Sequence, residues 1–222
     1  MNGCFITGTD TNVGKTFVAC ALARRAVARG HKVFAFKPIE TGCLPSSTDA
    51  DADLIGADQE LLAEAAGNWQ TGPLRGIYRF PLPAAPLVAA EHAHSTIDLS
   101  LIERTARAAT ADHRVSFSII EGAGGWRVPI TPAADMAGLS RRLGLPVIVV
   151  ARAGLGTINH SLLTLEAIER DNLAVSGLVL SQRETDDPAA AESNRAQIHR
   201  RWPGLVLILA GDPTVLDVLL PS

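Results

Sequence analysis

Apolar positions along this chain follow two spacings. Short runs dense in Val, Ile, Phe and Leu, at Cys4–Ile6, Lys32–Lys37, Val115–Glu121, Pro146–Ala151, Val175–Ser181 and Leu205–Ala210, have the length of strands. Pro146–Ala151 (PVIVVA) is apolar throughout, the pattern of a strand buried on both faces of a parallel sheet. Between these runs the apolar spacing becomes helical. It predicts helices over Phe17–Ala28, stopping at Gly30, and over Asp51–Ala66, Ala84–Ala93, Asp98–Asp112, Asp135–Leu143 and Pro188–Arg200. Another opens at the Gly154–His160 turn and runs to Asp171, and a short one follows Pro213. Residues 67–86 are rich in Gly and Pro and read as a connection with one short strand at Ile77–Phe80. Strands alternating with helices predict an α/β fold: a doubly wound, mostly parallel sheet flanked by helices, in a single domain spanning 1–222.

Composition narrows the functional classes. The 222 residues are 47% hydrophobic and 19% charged with net charge −3, a globular balance without a strong field. Basic residues are scattered, with no basic tail or aromatic-interleaved patch, which argues against nucleic-acid binding. The three cysteines, Cys4, Cys20 and Cys43, have no spacing that suits a metal or a disulfide framework, so a reducing, cytoplasmic setting is expected. The first apolar run is a strand without a basic leader, and no later run reaches membrane-spanning length; neither export nor membrane insertion is expected.

The chemistry concentrates where strands end. Ile6–Thr16 (ITGTDTNVGKT) takes a strand into a glycine-containing loop and then into Lys15, Thr16 and an apolar helix. That is the layout of a phosphate-binding loop, in which backbone N–H groups and a helix N-terminus cradle phosphate oxygens. Lys15 then reaches the β- and γ-phosphates and the Thr16 hydroxyl ligates Mg²⁺. The usual spacing puts glycine where Thr9 stands, and Gly8 lies one residue early. Lys37 ends its strand immediately before Pro38, on the same edge. Asp49, Asp51 and Asp53 cluster at the expected helix start, where carboxylates cap N–H groups or face a metal. Glu121 ends a strand and is followed by Gly122-Ala123-Gly124-Gly125, a carboxylate beside backbone that a ligand can approach closely.

Taken together, GTDTNVGKT (8–16), KPIETG (37–42), EGAGG (121–125) and GLGTINH (154–160) resemble the dethiobiotin synthetases of the biotin pathway over nearly the whole chain. The resemblance implies a P-loop ligase that uses ATP and Mg²⁺ to close a cyclic urea from 7,8-diaminononanoate and CO₂. It implies catalytic roles for Lys37, Lys15 and Thr11, and nucleotide contacts from Asn12, Val13, Gly14, Lys15, Thr16, Phe17 and Ser181. Metal ligation falls to Thr16, Asp51 and Glu121, with Asp51 chosen among the three aspartates because Asp51-Ala52-Asp53-Leu54 best fits the family's pattern. Thr41 and Gly122 are expected at the substrate, and Gly156, Thr157, Ile158 and Asn159 at its carboxylate. In the family that last turn comes from the partner subunit, so the resemblance also implies a homodimer with composite sites.

Two residues depart from the family. Asn12 stands where an acid is usual in the loop, and Ser181 where many members carry the Asn that reads the adenine edge. Two other classes share the loop. A partitioning-type ATPase needs a second lysine early in it, where this chain has Thr9, Asp10 and Thr11. A small-molecule kinase uses the same lysines and is separated by its product, which retains the phosphate.

Overall fold

The computed structural model describes residues 1–49 and 52–221. Along them run β1 (Gly3–Gly8), α1 (Lys15–Ala28), β2 (Val33–Phe36), β3 (Ile39–Thr41), β4 (Leu44–Pro45), β5 (Leu54–Ile55), α2 (Ala57–Ala65), β6 (Tyr78–Phe80), α3 (Pro86–His92) and α4 (Leu99–Asp112). The second half continues with β7 (Phe117–Gly125), β8 (Pro129–Thr131), β9 (Ala134–Asp135), α5 (Met136–Leu143), β10 (Val147–Arg152), α6 (Thr157–Arg170), β11 (Val175–Ser181), α7 (Pro188–His199) and β12 (Val206–Leu209). Short 3-10 turns lie at Gly72–Leu74 and Pro213–Leu219.

Six strands form one sheet in the order β12, β11, β10, β1, β7, β2, and every neighbouring pair is parallel. Parallel neighbours need crossover connections, and here helices supply them on both faces. Alternation along the strands divides the core. Phe5, Phe34, Phe36, Ile120, Val147 and Val149 pack with Ile102 of α4, Leu139 of α5 and Leu165 of α6. Cys4, Ile6, Val33, Ala35, Ile119, Ile148 and Val150 pack with Val18 and Leu22 of α1 and Leu62 of α2. Because β1 lies between β10 and β7, the chain winds one way to β2 and the other way to β12. The crevice at the carboxyl ends beside β1 is where such sheets bind ligands.

The structure differs from the expected elements at several ends. The strand expected to stop at Glu121 continues to Gly125, because Gly125 pairs with Gly8 across a bulge and the glycines follow the edge of the neighbouring strand. The strand expected over Lys32–Lys37 is Val33–Phe36. The helix expected from Asp51 begins only at Ala57: Leu54–Ile55 pairs antiparallel with Leu44–Pro45, and Gly56 turns the chain from that ribbon into the helix. The segment after Pro213 is 3-10 instead of α-helical. Among the described residues no helix is long and apolar enough to cross a membrane.

All three cysteines are free and buried. Burial pushes the Cys4 and Cys20 thiols up to about 12, so the reactive thiolate is scarce at neutral pH. At pH 8 the native protein is therefore expected to resist an aromatic disulfide reagent, and all three thiols should titrate in guanidinium chloride. Rapid labelling of Cys4 or Cys20 in the native state would contradict this packing.

Candidate active site

The loop from Gly8 to Gly14 is shaped by two close approaches. A Cβ on Gly8 would lie 2.6 Å from the Asp10 carbonyl oxygen, so the glycine one residue early is the one the turn requires. Gly14 caps α1 in the left-handed region at φ 99, and a Cβ there would lie 2.5 Å from the Ser181 Oγ. Asn12 is also left-handed, at φ 58, a conformation asparagine tolerates better than most residues. The free N–H groups at the start of α1 face the crevice, with Lys15 and Thr16 as its first two residues.

Lys15 is buried, and its Nζ donates to the Asp10 carbonyl at 3.0 Å, folding the side chain back over the loop. Burial lowers its pKa to about 8; the Glu121 charge works against that fall and the neighbouring Lys37 charge reinforces it. An anion at this loop would raise it again and favour the ammonium further.

Lys37, Glu121 and Asp58 form the charged floor of the site. The Lys37 Nζ donates to Glu121 Oε1 at 3.0 Å and also bonds Asp58 Oδ2. Thr16 Oγ1 donates to the same Glu121 oxygen at 2.9 Å. Glu121 is fully buried, and its Oε2 has no hydrogen-bond partner among the described residues. Burial alone would lower the pKa of Lys37, but the Glu121 and Asp58 carboxylates outweigh it and hold the ammonium above its usual range. The group is thus a fixed cation held between two carboxylates.

These residues line a cavity of about 920 Å³, together with Thr11, Asn12, Gly14, Phe17, Thr41, Ala123, Gly124 and Arg183. Most of the expected nucleotide and catalytic residues therefore share one wall. Val13 is buried behind the loop, and Ser181 packs on Gly14 from the end of β11. Gly122 is buried as well, facing Phe5 and Met136, so that Ala123 and Gly124 present the strand end to the cavity. The Gly154–His160 turn lies on the other side of the loop. Thr157 and His160 line a separate cavity of about 160 Å³ with Thr9, Asp10 and Thr11, whereas Gly156, Ile158 and Asn159 are not in its wall. A third cavity of about 420 Å³ also touches Thr9–Thr11 and is bounded by Trp126, Arg127 and Leu163.

Asp51 lies outside the described residues, and Asp49 and Asp53 are exposed. The aspartate brought to the cavity is Asp58. Because the helix starts at Ala57 and not at Asp51, Asp58 sits in its first turn and faces Lys37. Gly56, a break between Ile55 and Ala57, was the available sequence signal. Arg183 was also missed: its guanidinium donates to the Asn12 carbonyl at 3.2 Å from the loop after β11.

Known proteins share this fold and, at higher identity, much of this sequence. Residues 2–210 match a family model described as an AAA domain. Solved structures share the fold at low identity. The chain aligns with the signal recognition particle receptor FtsY of Elizabethkingia anophelis at TM-score 0.56 and 13% identity, covering 100% of this chain but only 62% of that one. It aligns with the MinD cell division protein of Aquifex aeolicus at TM-score 0.57 and 12% identity, covering 98% and 86%. Closer relatives are named ATP-dependent dethiobiotin synthetase BioD. That of Anaeromyxobacter dehalogenans strain 2CP-1 is 44% identical over 202 residues, covering 90% of this chain and 85% of the relative. The protein of Pseudomonas aeruginosa strain PAO1 is 38% identical, covering 91% and 86%, and that of Thermodesulfovibrio yellowstonii is 38% identical, covering 88% and 82%. With a phosphate loop, paired lysines and the buried Glu121 at one sheet edge, and with this identity over most of both chains, the chain belongs to the ATP-dependent dethiobiotin synthetase family.

Proposed function

We propose that this protein closes the cyclic urea of dethiobiotin from 7,8-diaminononanoate and CO₂, converting ATP to ADP and phosphate. The observation that carries the reading is the convergence of Lys15, Lys37, Thr16, Asp58 and Glu121 on one cavity at the end of β1. One substrate amine adds to CO₂ and loses a proton, giving a carbamate. A carbamate oxygen attacks the γ-phosphorus and ADP departs; the second amine then attacks the carbonyl carbon of the mixed anhydride and loses a proton, and phosphate leaves with the electron pair of the broken C–O bond.

The chain's own groups have work suited to each stage. Helix and loop N–H groups with Lys15 hold the phosphates, and Lys37 offsets charge on the transferring group. Thr11 and Thr41, both in the cavity wall, supply hydroxyls to the carbamate end of the substrate. No protein nucleophile is required.

The donor set also fits Mg²⁺. The Thr16 hydroxyl, Glu121 and Asp58 are hard oxygen ligands, and the buried, unpartnered Glu121 Oε2 is a coordination position left open among the described residues. Phosphate oxygens and water would complete the shell, and the ion supplies charge neutralisation at the phosphates. We assign the metal contacts to Thr16, Glu121 and Asp58.

The Gly156–Asn159 turn opens α6 with free N–H groups suited to a carboxylate. It is placed across Thr9–Thr11 from the main cavity. A second copy of the chain presenting this turn would complete the diamine site, and we assign a homodimer on that ground, working in the cytoplasm. Sedimentation without nucleotide tests it: a dimer is expected, and dimerisation only with ATP would instead favour a nucleotide-driven switch.

Mass analysis of the product made from ¹³C-bicarbonate, the diamine and MgATP tests the reaction itself. A product one mass unit heavier than unlabelled dethiobiotin, formed together with free phosphate, is expected. Phosphorylated diamine would show a kinase, and the absence of diamine-dependent ADP would overturn the reading. Gly14→Ala should weaken ATP binding about tenfold or more in calorimetry, since a side chain at φ 99 costs about 1–3 kcal/mol and also meets Ser181.

A further inference from the structure

Glu40 is buried yet does not line the cavity. It lies on β3 between Ile39 and Thr41, and Thr41 does line the cavity. Successive residues of a strand point to opposite sides, so Glu40 points away from the site, toward the start of α2. There Glu40 Oε1 accepts the Asp58 backbone N–H at 3.0 Å and Oε2 accepts the Gln59 N–H at 3.0 Å. These are orphan donors of the first helical turn, and Gly56, at the capping position, has no side chain to satisfy them. A carboxylate that holds two successive N–H groups fixes the rotation of the helix start as well as its position, and its charge complements the dipole. The fit is close, since a Cβ on Gly56 would lie 2.7 Å from Glu40 Oε2.

Gln59, also buried, closes the circuit. Its Nε2 donates to the Lys37 carbonyl at 3.1 Å and to the Tyr78 carbonyl at 3.3 Å, while its Oε1 accepts from Arg79 Nε at 2.6 Å. The backbones of Lys37 and Asp58 are thereby tied together from behind, while their side chains bond each other in front.

We infer that Glu40 is a positioning residue: by capping α2 from β3 it sets the Asp58 carboxylate opposite Lys37 and Glu121, in the arrangement that binds the divalent ion. This rests on the assignment of Asp58 as a metal ligand made above. One segment, Lys37 to Thr41, then supplies two cavity residues and the clamp that registers a third.

Mn²⁺ binding followed by electron paramagnetic resonance in the presence of ADP, well below the melting transition, tests the inference on Glu40→Ala, Glu40→Gln and Asp58→Asn. Glu40→Ala is expected to weaken Mn²⁺ binding about tenfold, as loss of a ligand's supporting partner does. Glu40→Gln retains one acceptor and should cost about fivefold, the value of roughly one hydrogen bond. ADP affinity measured without metal should stay at the wild-type level in both, because the phosphate loop is untouched. Wild-type Mn²⁺ affinity in Glu40→Ala with only a lowered melting temperature would make Glu40 merely structural and overturn the inference. Should Glu40→Ala fail to fold, wild-type affinity in Glu40→Gln overturns it equally. If Asp58→Asn weakens Mn²⁺ binding and the Glu40 variants do not, the inference about Glu40 alone fails; if Asp58→Asn has no effect, the metal assignment fails first.

Discussion

Lys37→Met is expected to lower kcat by about 10²–10³-fold, the usual cost of removing one preorganised group that stabilises transition-state charge. Methionine keeps much of the side-chain length and apolar stem while removing the ammonium. Two consequences separate chemistry from folding. Without the ammonium, Glu121 and Asp58 lose the cation they share, so the metal-free variant should melt below the wild type. Adding Mg²⁺ should recover much of that loss, because the same two carboxylates can then share the divalent ion. Turnover should stay low, because an ion held by Glu121 and Asp58 cannot also take the place of the Lys37 ammonium at the transferring phosphoryl group. Steady-state kinetics beside Mg²⁺-dependent thermal melts check both halves. Wild-type kcat/KM in this variant would remove Lys37 from the chemistry.

The sheet was legible because buried parallel strands are nearly continuous apolar runs. Val147–Arg152 and Val175–Ser181 lie within a residue of the runs that predicted them. Lys15, Thr16, Lys37 and Glu121 were legible for a related reason: Gly14, Pro38 and Gly122 mark places where the chain pattern changes beside them, and in this fold those places share one edge. The misses are tertiary. Gly122–Gly125 has little strand preference of its own and stays in the sheet because Gly125 pairs with Gly8 of β1 across a bulge, with Gly124 left-handed at φ 69. The start of α2 is capped by Glu40, which lies 18 residues before Asp58, so the only local mark of it is Gly56, which carries no capping side chain. Once the helix start moved, so did the aspartate that faces the site. Glu40 itself carries no sequence signal, because a capping contact made across the fold leaves no periodic trace. Arg183 sits in a loop after β11 and meets Asn12 only through the folded chain.

Asp58 gives the sharpest comparison. Asp58→Asn is expected to raise the Mg²⁺ concentration for half-maximal turnover by about 10–100-fold, with a smaller effect on the reaction at saturating Mg²⁺. The amide keeps the shape and one neutral acceptor, but it loses the charge that makes the carboxylate a hard ligand and a partner for Lys37. Asp51→Asn and Asp53→Asn should leave the Mg²⁺ requirement within about twofold of wild type, because under the proposed assignment Thr16, Glu121 and Asp58 supply the one or two carboxylates and the hydroxyl that such a site uses. A Mg²⁺ titration of the three variants at fixed total ATP distinguishes the alternatives directly. A large shift in Asp51→Asn with none in Asp58→Asn would restore the aspartate chosen by family pattern and reduce Asp58 to a counter-ion for Lys37. The opposite result would place the metal where β1, β7 and the first turn of α2 meet, with its carboxylates drawn from two elements that only the fold brings together.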